Sequence, residues 1–365
     1  MVSLKNSEKK LPDKNRGVFL IAEAGCNFEG DLNRAKEMIK MAARNGADAI
    51  KFQTFIPEKL VTRDAPKFWD IKGCPGDTQF DEFSHTPRLA FEEYIALKKI
   101  SEKNNIFFFS TPSDESSVSM LEEVGVPFYK ISSMDITHIP LLKCVAKTGK
   151  PVILSTGAST IAEIRDAVSV IESKGNNDIT LLHCITNYPT KPGHVNINMM
   201  QEIKREFPEY AIGYSDHTKM PESTCVIGAA VALGACVIEK HYTFDKKRPG
   251  YDHEISMDYA DLKEISWTIR VVRQSLGSYN KKPVQTELKS RKWARRSLVA
   301  EVFIKMGTQI TPEMLSIKRP GTGIEPKYID KVLGSFSTRD IPEDKVLQWE
   351  WITGEGIANK KKGTK

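Results

Sequence analysis

Two histidines occupy matching places in this 365-residue chain. One follows Ile212-Gly213-Tyr214-Ser215-Asp216 as His217, and the other closes Ala235-Cys236-Val237-Ile238-Glu239-Lys240 as His241. Between them, residues 221–234 form a small-residue apolar run of helix length. The expected order is strand, helix, strand, with a histidine just past the end of each strand. A crossover of this kind makes the strands parallel, so both imidazoles emerge on one edge of the sheet. Beside Asp216 and Glu239, they have the donor types to hold a divalent metal. Two separate histidines, each satisfied by hydrogen bonds, are the alternative.

Other apolar runs end in polar residues in the same way. Glu23 follows Ile21-Ala22, Lys51 follows Ile50, and Lys130 follows Tyr129, while Thr111, Ser155, Asn187 and Ser215 stand at or just past other runs. A lysine in such a place costs desolvation unless it meets an anion. Two lysines with hydroxyls and an amide around one mouth suit a substrate that carries both phosphate and carboxylate. A Schiff-base lysine is the rival role, and an ion pair such as Lys51 with Glu23 is the structural one. Glu23 has the chemistry of a general base or a hydroxyl binder. A metal beside a carbonyl oxygen would make that carbon electrophilic. The set therefore reads as carbonyl chemistry on an anionic substrate.

Eight short apolar runs carry these groups: 19–24, 47–52, 106–110, 127–131, 151–155, 179–184, 210–214 and 235–240. They are rich in Val, Ile, Phe and Leu, as buried parallel strands are. Helical patterns follow most of them. Leu32, Ala35, Met38, Ile39 and Ala42 make one stripe, with Asp31 as cap and Gly46 as stop. Residues 160–171 repeat this, with Ser159 and Glu163 in cap positions, and 258–276 closes at Gly277. The alternation predicts an α/β fold, a (β/α)8 TIM barrel over residues 17–280, with a doubly wound open sheet as runner-up. A barrel gathers every polar strand end around one mouth; an open sheet strings them along an edge too long for one ligand. The connection 55–86 is long and rich in Pro and Gly, and is expected to be a lid or a subunit contact. Residues 281–292 read as a linker, 293–354 as a small β-rich domain that must dock on something, and 355–365 as a tail.

Composition excludes several classes. The net charge of +6 is spread along the chain, with one basic run at Lys360-Lys361-Lys362, so nucleic-acid binding has no support. The longest apolar run is too short to span a membrane, and the first 17 residues lack the apolar core of a signal peptide. None of the six cysteines forms a C-x-x-C pair, as suits reduced thiols in a cytoplasmic protein. Cys26, just past a strand end, reads as a small apolar filler.

The chain resembles the N-acetylneuraminate (sialic acid) synthase family. The resemblance is carried by Ile21-Ala22-Glu23-Ala24-Gly25, Lys51-Phe52-Gln53-Thr54, Ser110-Thr111-Pro112, Tyr129-Lys130-Ile131, Ser155-Thr156-Gly157, Asn187-Tyr188-Pro189, Tyr214-Ser215-Asp216-His217-Thr218 and Glu239-Lys240-His241. Later, Arg295-Arg296-Ser297 and Arg319-Pro320-Gly321-Thr322-Gly323 are similar to the family's antifreeze-like (SAF) domain, a β-clip. This implies a barrel that condenses phosphoenolpyruvate with the open-chain aldehyde of an N-acetylated amino sugar, giving a nine-carbon 2-keto acid and phosphate. The family pattern puts Mn2+, or Mg2+ or Co2+, on His217 and His241. It puts phosphoenolpyruvate on Lys51, Thr111, Lys130, Ser133, Ser155, Asn187 and Ser215. The sugar falls to Glu23, Gln53, Tyr188, Glu239 and Asp252, with Glu23, Lys51 and Lys130 as the catalytic groups. Arg319 is implied to reach the active site of a partner subunit, so a homodimer is expected.

Phe28 stands where the family pattern has His, which points to a less hydroxylated sugar face and a deoxy acceptor. N-acetylmannosamine and its 6-phosphate are the other acceptors the resemblance allows, beside the diacetamido-trideoxy sugars that lead to legionaminic or pseudaminic acid. A pyruvate-dependent aldolase on the same barrel and a non-catalytic sugar-binding protein of coat biosynthesis are the competing functions.

Overall fold

A computed structural model describes residues 17–69, 73 and 76–354. The expected tail 355–365, the polar segment 1–16 and Cys74 lie outside them. Contacts divide the chain into two units, with the break between Gly277 and Ser278.

The first unit is built on eight strands: β1 (Phe19–Gly25), β2 (Ala49–Thr54), β3 (Phe107–Pro112), β4 (Tyr129–Ile131), β5 (Val152–Ser155), β6 (Ile179–Cys184), β7 (Ala211–Asp216) and β8 (Val237–His241). Their hydrogen-bonded order is β3-β2-β1-β8-β7-β6-β5-β4, and every pairing is parallel. Because β1 pairs with both β2 and β8, the first and last strands meet and the sheet curls into a barrel, which rules out the doubly wound sheet. β3 and β4 lie side by side at the one seam without a ladder. The strands are buried almost throughout, which is why they read as continuous apolar runs.

Several strands run past the apolar runs that announce them. β2 reaches Thr54, β3 Pro112, β7 Asp216 and β8 His241, so His241 ends its strand instead of following it. Apart from Pro112, the extra residues are polar, and hydropathy alone does not register them. The helices behave as their caps dictate. Asp31 caps the helix Leu32–Arg44, and Asp258 caps Tyr259–Leu276 through a capping box with Asp261. The cap of Ile161–Glu172 is Thr160, not Ser159. Thr160 lies three residues before Glu163, the spacing at which side chain and backbone bond reciprocally, whereas Ser159 Oγ donates to Gly157 O.

The long connection after β2 holds two short helices, Pro57–Leu60 and Gln79–His85. Phe83 packs on Phe55 with ring centres 5.4 Å apart and on Trp69 at 6.0 Å. The second unit has its own core of Leu298, Ile304, Ile310, Ile324, Ile341 and Leu347. Two antiparallel pairs frame it: β9 (Ser297–Ala300) with β10 (Leu315–Lys318), and β11 (Phe336–Ser337) with β12 (Ile352–Thr353). The segment expected as a linker contains a 3-10 turn, Gln285–Glu287, and the start of a helix, Leu288–Ala294.

Gly213 shows how tightly β7 sits between its neighbours. A Cβ there would lie 2.4 Å from the carbonyl oxygen of Val237 and 2.5 Å from Leu182 Cδ2. Gly213→Ala is therefore expected to cost about 1–3 kcal/mol of stability. Urea unfolding checks this, and an unchanged midpoint would contradict it.

Candidate active site

The C-terminal ends of the strands surround one cavity of about 290 Å3. Strand alternation explains who faces it: Lys51 and Gln53 on β2, and Glu239 and His241 on β8, line the cavity, while Phe52 and Lys240 between them do not. Glu23, Thr111, Lys130, Ser133, Tyr188, Ser215, His217 and Asp252 complete the set of expected residues that line it.

Two expected residues do not. Ser155 is buried, does not line the cavity, and its Oγ has no hydrogen-bond partner. Asn187 is exposed, while its neighbours Thr186 and Tyr188 line the cavity. Thr190 closes this turn, its Oγ1 donating to Asn187 O at 2.8 Å. Arg319 belongs to the second unit. Phe28 corrects a further expectation. It is a core residue, its ring 5.9 Å from that of Phe52, and it does not line the cavity, so it presents no face to a sugar.

The cavity also holds residues that the strand-end pattern misses. Asp135 lines it from the 3-10 turn Ser133–Asp135, and the polar Ser132-Ser133-Met134-Asp135 directly after β4 was the available signal. Phe55, Leu60, Phe68, Trp69 and Phe83 of the long connection also line it. Nothing in their spacing marks them beforehand.

The lysines differ in their partners. Lys51 Nζ lies 2.8 Å from Glu23 Oε2, donates to Thr111 Oγ1 at 2.8 Å, and stands 3.8 Å from Glu239 Oε1. Lys130 Nζ donates to Ile131 O at 3.2 Å and stands 3.7 Å from the same Glu239 oxygen. Gln53 Nε2 donates to Glu23 Oε1 at 2.9 Å. The imidazoles of His217 and His241 lie with ring centres 5.3 Å apart and planes tilted by 43°, and the Tyr188 ring lies 4.4 Å from that of His217.

Residues 38–281 match the NeuB family, and residues 295–352 match the SAF domain. The chain belongs to the NeuB family. It is 40% identical over 334 residues to the N,N'-diacetyllegionaminic acid synthase of Campylobacter jejuni, covering 91% of this chain and 99% of that one. The N,N'-diacetyllegionaminic acid synthase of Legionella pneumophila is 39% identical over 339 residues, covering 92% and 94%. Among solved structures, the N-acetylneuraminic acid (sialic acid) synthetase of Leptospira borgpetersenii, in complex with citrate, superposes with a TM-score of 0.67 at 37% identity, over 76% of this chain and 90% of that one.

Burial opposes the charge on both lysines and on Glu23, Asp135, Glu239 and Asp252, and its balance with the neighbouring charges differs from group to group. For Lys51, burial is outweighed by the Glu23 and Glu239 carboxylates, which hold its pKa above the usual lysine range. For Lys130, burial wins and its pKa falls. For Glu239, burial yields to the two lysines and the carboxyl is held below the usual range. For Glu23, burial and the nearby Glu239 raise it. Burial pushes Asp135 up to about 6 and Asp252 up to about 7. The Cys26 thiol is pushed far up by burial, so it is a filler and no thiolate.

The histidines fit a cation. Burial keeps both imidazoles neutral, with His217 lowered to about 4, and the neutral ring is the form that ligates. His217 Nδ1 donates to the Ile185 carbonyl at 2.6 Å, which leaves Nε2 with its lone pair. His241 Nδ1 is buried without a hydrogen bond, 3.3 Å from Asp252 Oδ2. Among the described residues no third His, Cys, Asp or Glu completes a ligand set, so water or substrate would fill the other positions.

The raised Asp252 gives a pH test on metal-free protein. In the fold its protonated form is favoured, so its contribution to stability is present below pH about 4 and is lost as pH rises through about 7. Asp252→Asn removes this loss. Relative to wild type, the variant should gain on the order of 1–3 kcal/mol between pH 4 and 8, read by urea unfolding. A difference that stays constant with pH would contradict the assignment.

Proposed function

We propose that this cavity condenses phosphoenolpyruvate with the open-chain aldehyde of an N-acetylated amino sugar, in the manner of a nonulosonate synthase. A diacetamido-trideoxy hexose of the legionaminate type is the preferred acceptor. The carrying observation is the meeting of two lysines, the hydroxyls of Thr111, Ser133 and Ser215, and two neighbouring imidazoles in one cavity of about 290 Å3.

Lys51 and Lys130 take the phosphate and carboxylate of the donor. Lys130 spends one of its three N–H donors on Ile131 O, and at 3.7 Å from Glu239 it has capacity left for an anion. Thr111, Ser133 and Ser215 add hydroxyls; Ser155 and Asn187, off the cavity, take no part. C3 of the enol attacks the aldehyde carbon, C2 gains positive charge, and water adds there. The hemiketal phosphate then collapses to the nine-carbon 2-keto acid and phosphate. Glu23, with its raised pKa, carries a proton in these steps. Gln53, Tyr188, Glu239 and Asp252 bind the sugar's polar groups. A divalent cation, Mn2+ first and Mg2+ or Co2+ as alternatives, would be held by His217 and His241 and would polarise the aldehyde carbonyl.

Two features support the finer points. The wall of Phe55, Leu60, Phe68, Trp69 and Phe83 suits the methyl groups of a deoxy, twice-acetamidated sugar, at about 0.8 kcal/mol per buried carbon. Its relatives include synthases named for N,N'-diacetyllegionaminic acid. The cavity also sets two lysines against five carboxyl groups, those of Glu23, Glu82, Asp135, Glu239 and Asp252. A phosphorylated, carboxylated donor needs more positive charge than that balance supplies. Arg319 from a partner subunit in a homodimer would add it, as would the cation. No helix among the described residues is long and apolar enough to cross a membrane, and a sequence without a C-x-x-C pair suits a cytoplasmic setting.

The lowered pKa of Lys130 favours a second reading, a pyruvate aldolase that forms a Schiff base there. A phosphate-release assay separates the two. Release should require both phosphoenolpyruvate and sugar, fall with a chelator, and be fastest with 2,4-diacetamido-2,4,6-trideoxymannose. Lys51→Met should lower turnover about 10²–10³-fold. Release without sugar, carbon–carbon bond formation from pyruvate, or a clear preference for N-acetylmannosamine would contradict the proposal in turn.

A further inference from the structure

Behind the cavity lies an ion pair that the proposed chemistry does not touch. Asp216 and Lys240 are partners in the β7–β8 register, and both side chains are fully buried, with Lys240 Nζ 2.7 Å from Asp216 Oδ2. Ser215 and His217 on one side, and Glu239 and His241 on the other, line the cavity, so by strand alternation the pair occupies the opposite face of the sheet. The Asp216 carboxylate accepts four further side-chain or backbone donors. Tyr214 OH lies at 2.8 Å, Thr218 Oγ1 at 2.9 Å, Thr218 N at 3.3 Å, and Ser223 Oγ, from the helix Glu222–Ala232, at 2.6 Å. Lys240 Nζ also donates to the Thr218 carbonyl.

Such a pair is a poor stabilising device. Taking two charges out of water costs several kcal/mol per ion, and apolar replacements of similar volume are often as stable. Its placement suggests another use. Asp216 directly precedes His217, and Lys240 directly precedes His241. The residue after His217, Thr218, is bonded by both members of the pair. The backbone on either side of His217 is thus tied to the strand that carries His241. His217 itself is tied to the loop after β6, accepting from Thr190 N at 2.9 Å through its carbonyl and donating to Ile185 O through its ring.

We propose that Asp216 and Lys240 are positioning residues that fix the spacing of the His217 and His241 imidazoles, and so set the affinity of the site for a divalent cation. This rests on the metal role given above to the two histidines. The pair touches neither substrate nor cation. It acts by clamping the two strand ends that present the ligands.

The test is Mn2+ binding to the full-length protein, read from the electron paramagnetic resonance of free Mn2+, together with thermal melting. Asp216→Asn combined with Lys240→Met removes both charges and keeps an acceptor for Tyr214, Thr218 and Ser223. The double variant should melt close to wild type yet bind Mn2+ about 10–100-fold more weakly. Should it fail to fold, Ser223→Ala, which leaves no charge unpaired, should still weaken Mn2+ binding about tenfold. Wild-type affinity in the folded double variant, or in Ser223→Ala if only that folds, overturns the proposal while the metal role survives. Mn2+ binding that persists undiminished in His217→Ala overturns the metal role, and the proposal with it.

Discussion

Lys51 and Lys130 are held, almost fully buried, in one cavity, and that constraint governs the rest of the barrel. An ammonium removed from water must be compensated, and the compensation must not be so complete that an anionic substrate finds nothing to bind. The two lysines answer this differently. Lys51 is pinned by Glu23 and Thr111 at 2.8 Å each, and its charge is secured. Lys130 has one weak hydrogen bond to a carbonyl, a carboxylate at 3.7 Å, and a lowered pKa. The shared Glu239, whose Oε2 has no hydrogen-bond partner, holds both at the outer limit of an ion pair. A donor with two anionic groups could replace that loose contact with direct ones.

The fold makes this possible through strand periodicity and closure. Alternate residues at the strand ends point inward, so β2 and β8 each deliver two functional groups, and β7 with the residue after it delivers Ser215 and His217. Closure of β1 onto β8 brings Glu23 opposite His241 in register, although 218 positions separate them in sequence. The outward residues at the same ends, Asp216 and Lys240, then tie neighbouring strands together from behind. Site and support thus alternate along the same few residues.

Much of this was legible in the sequence because burial writes itself into parallel strands as unbroken apolar runs, and polar residues ending such runs are conspicuous. Glu23, Lys51, Thr111, Lys130, Ser215, His217 and His241 all follow that logic and share one cavity. The misses have physical causes. Asn187 looked equivalent, but it stands in the turn past β6, exposed and off the cavity. Phe28 looked like a change in the sugar site, yet its ring packs into the core on Phe52. Ser159 and Thr160 compete as caps, and only the three-residue spacing to Glu163 closes the box. The aromatic cluster of Phe55, Trp69 and Phe83 arises from a connection without periodicity, where no pattern tells a cavity-lining residue from a surface one.

The most direct measurement is a crystal structure of the full chain with phosphoenolpyruvate and Mn2+. The donor's phosphate and carboxylate should each lie within hydrogen-bond distance of Lys51 or Lys130, with Mn2+ between the His217 and His241 rings. Phosphoenolpyruvate bound away from both amines, or a covalent adduct on Lys130 in its place, would contradict the convergence on which the chemistry depends.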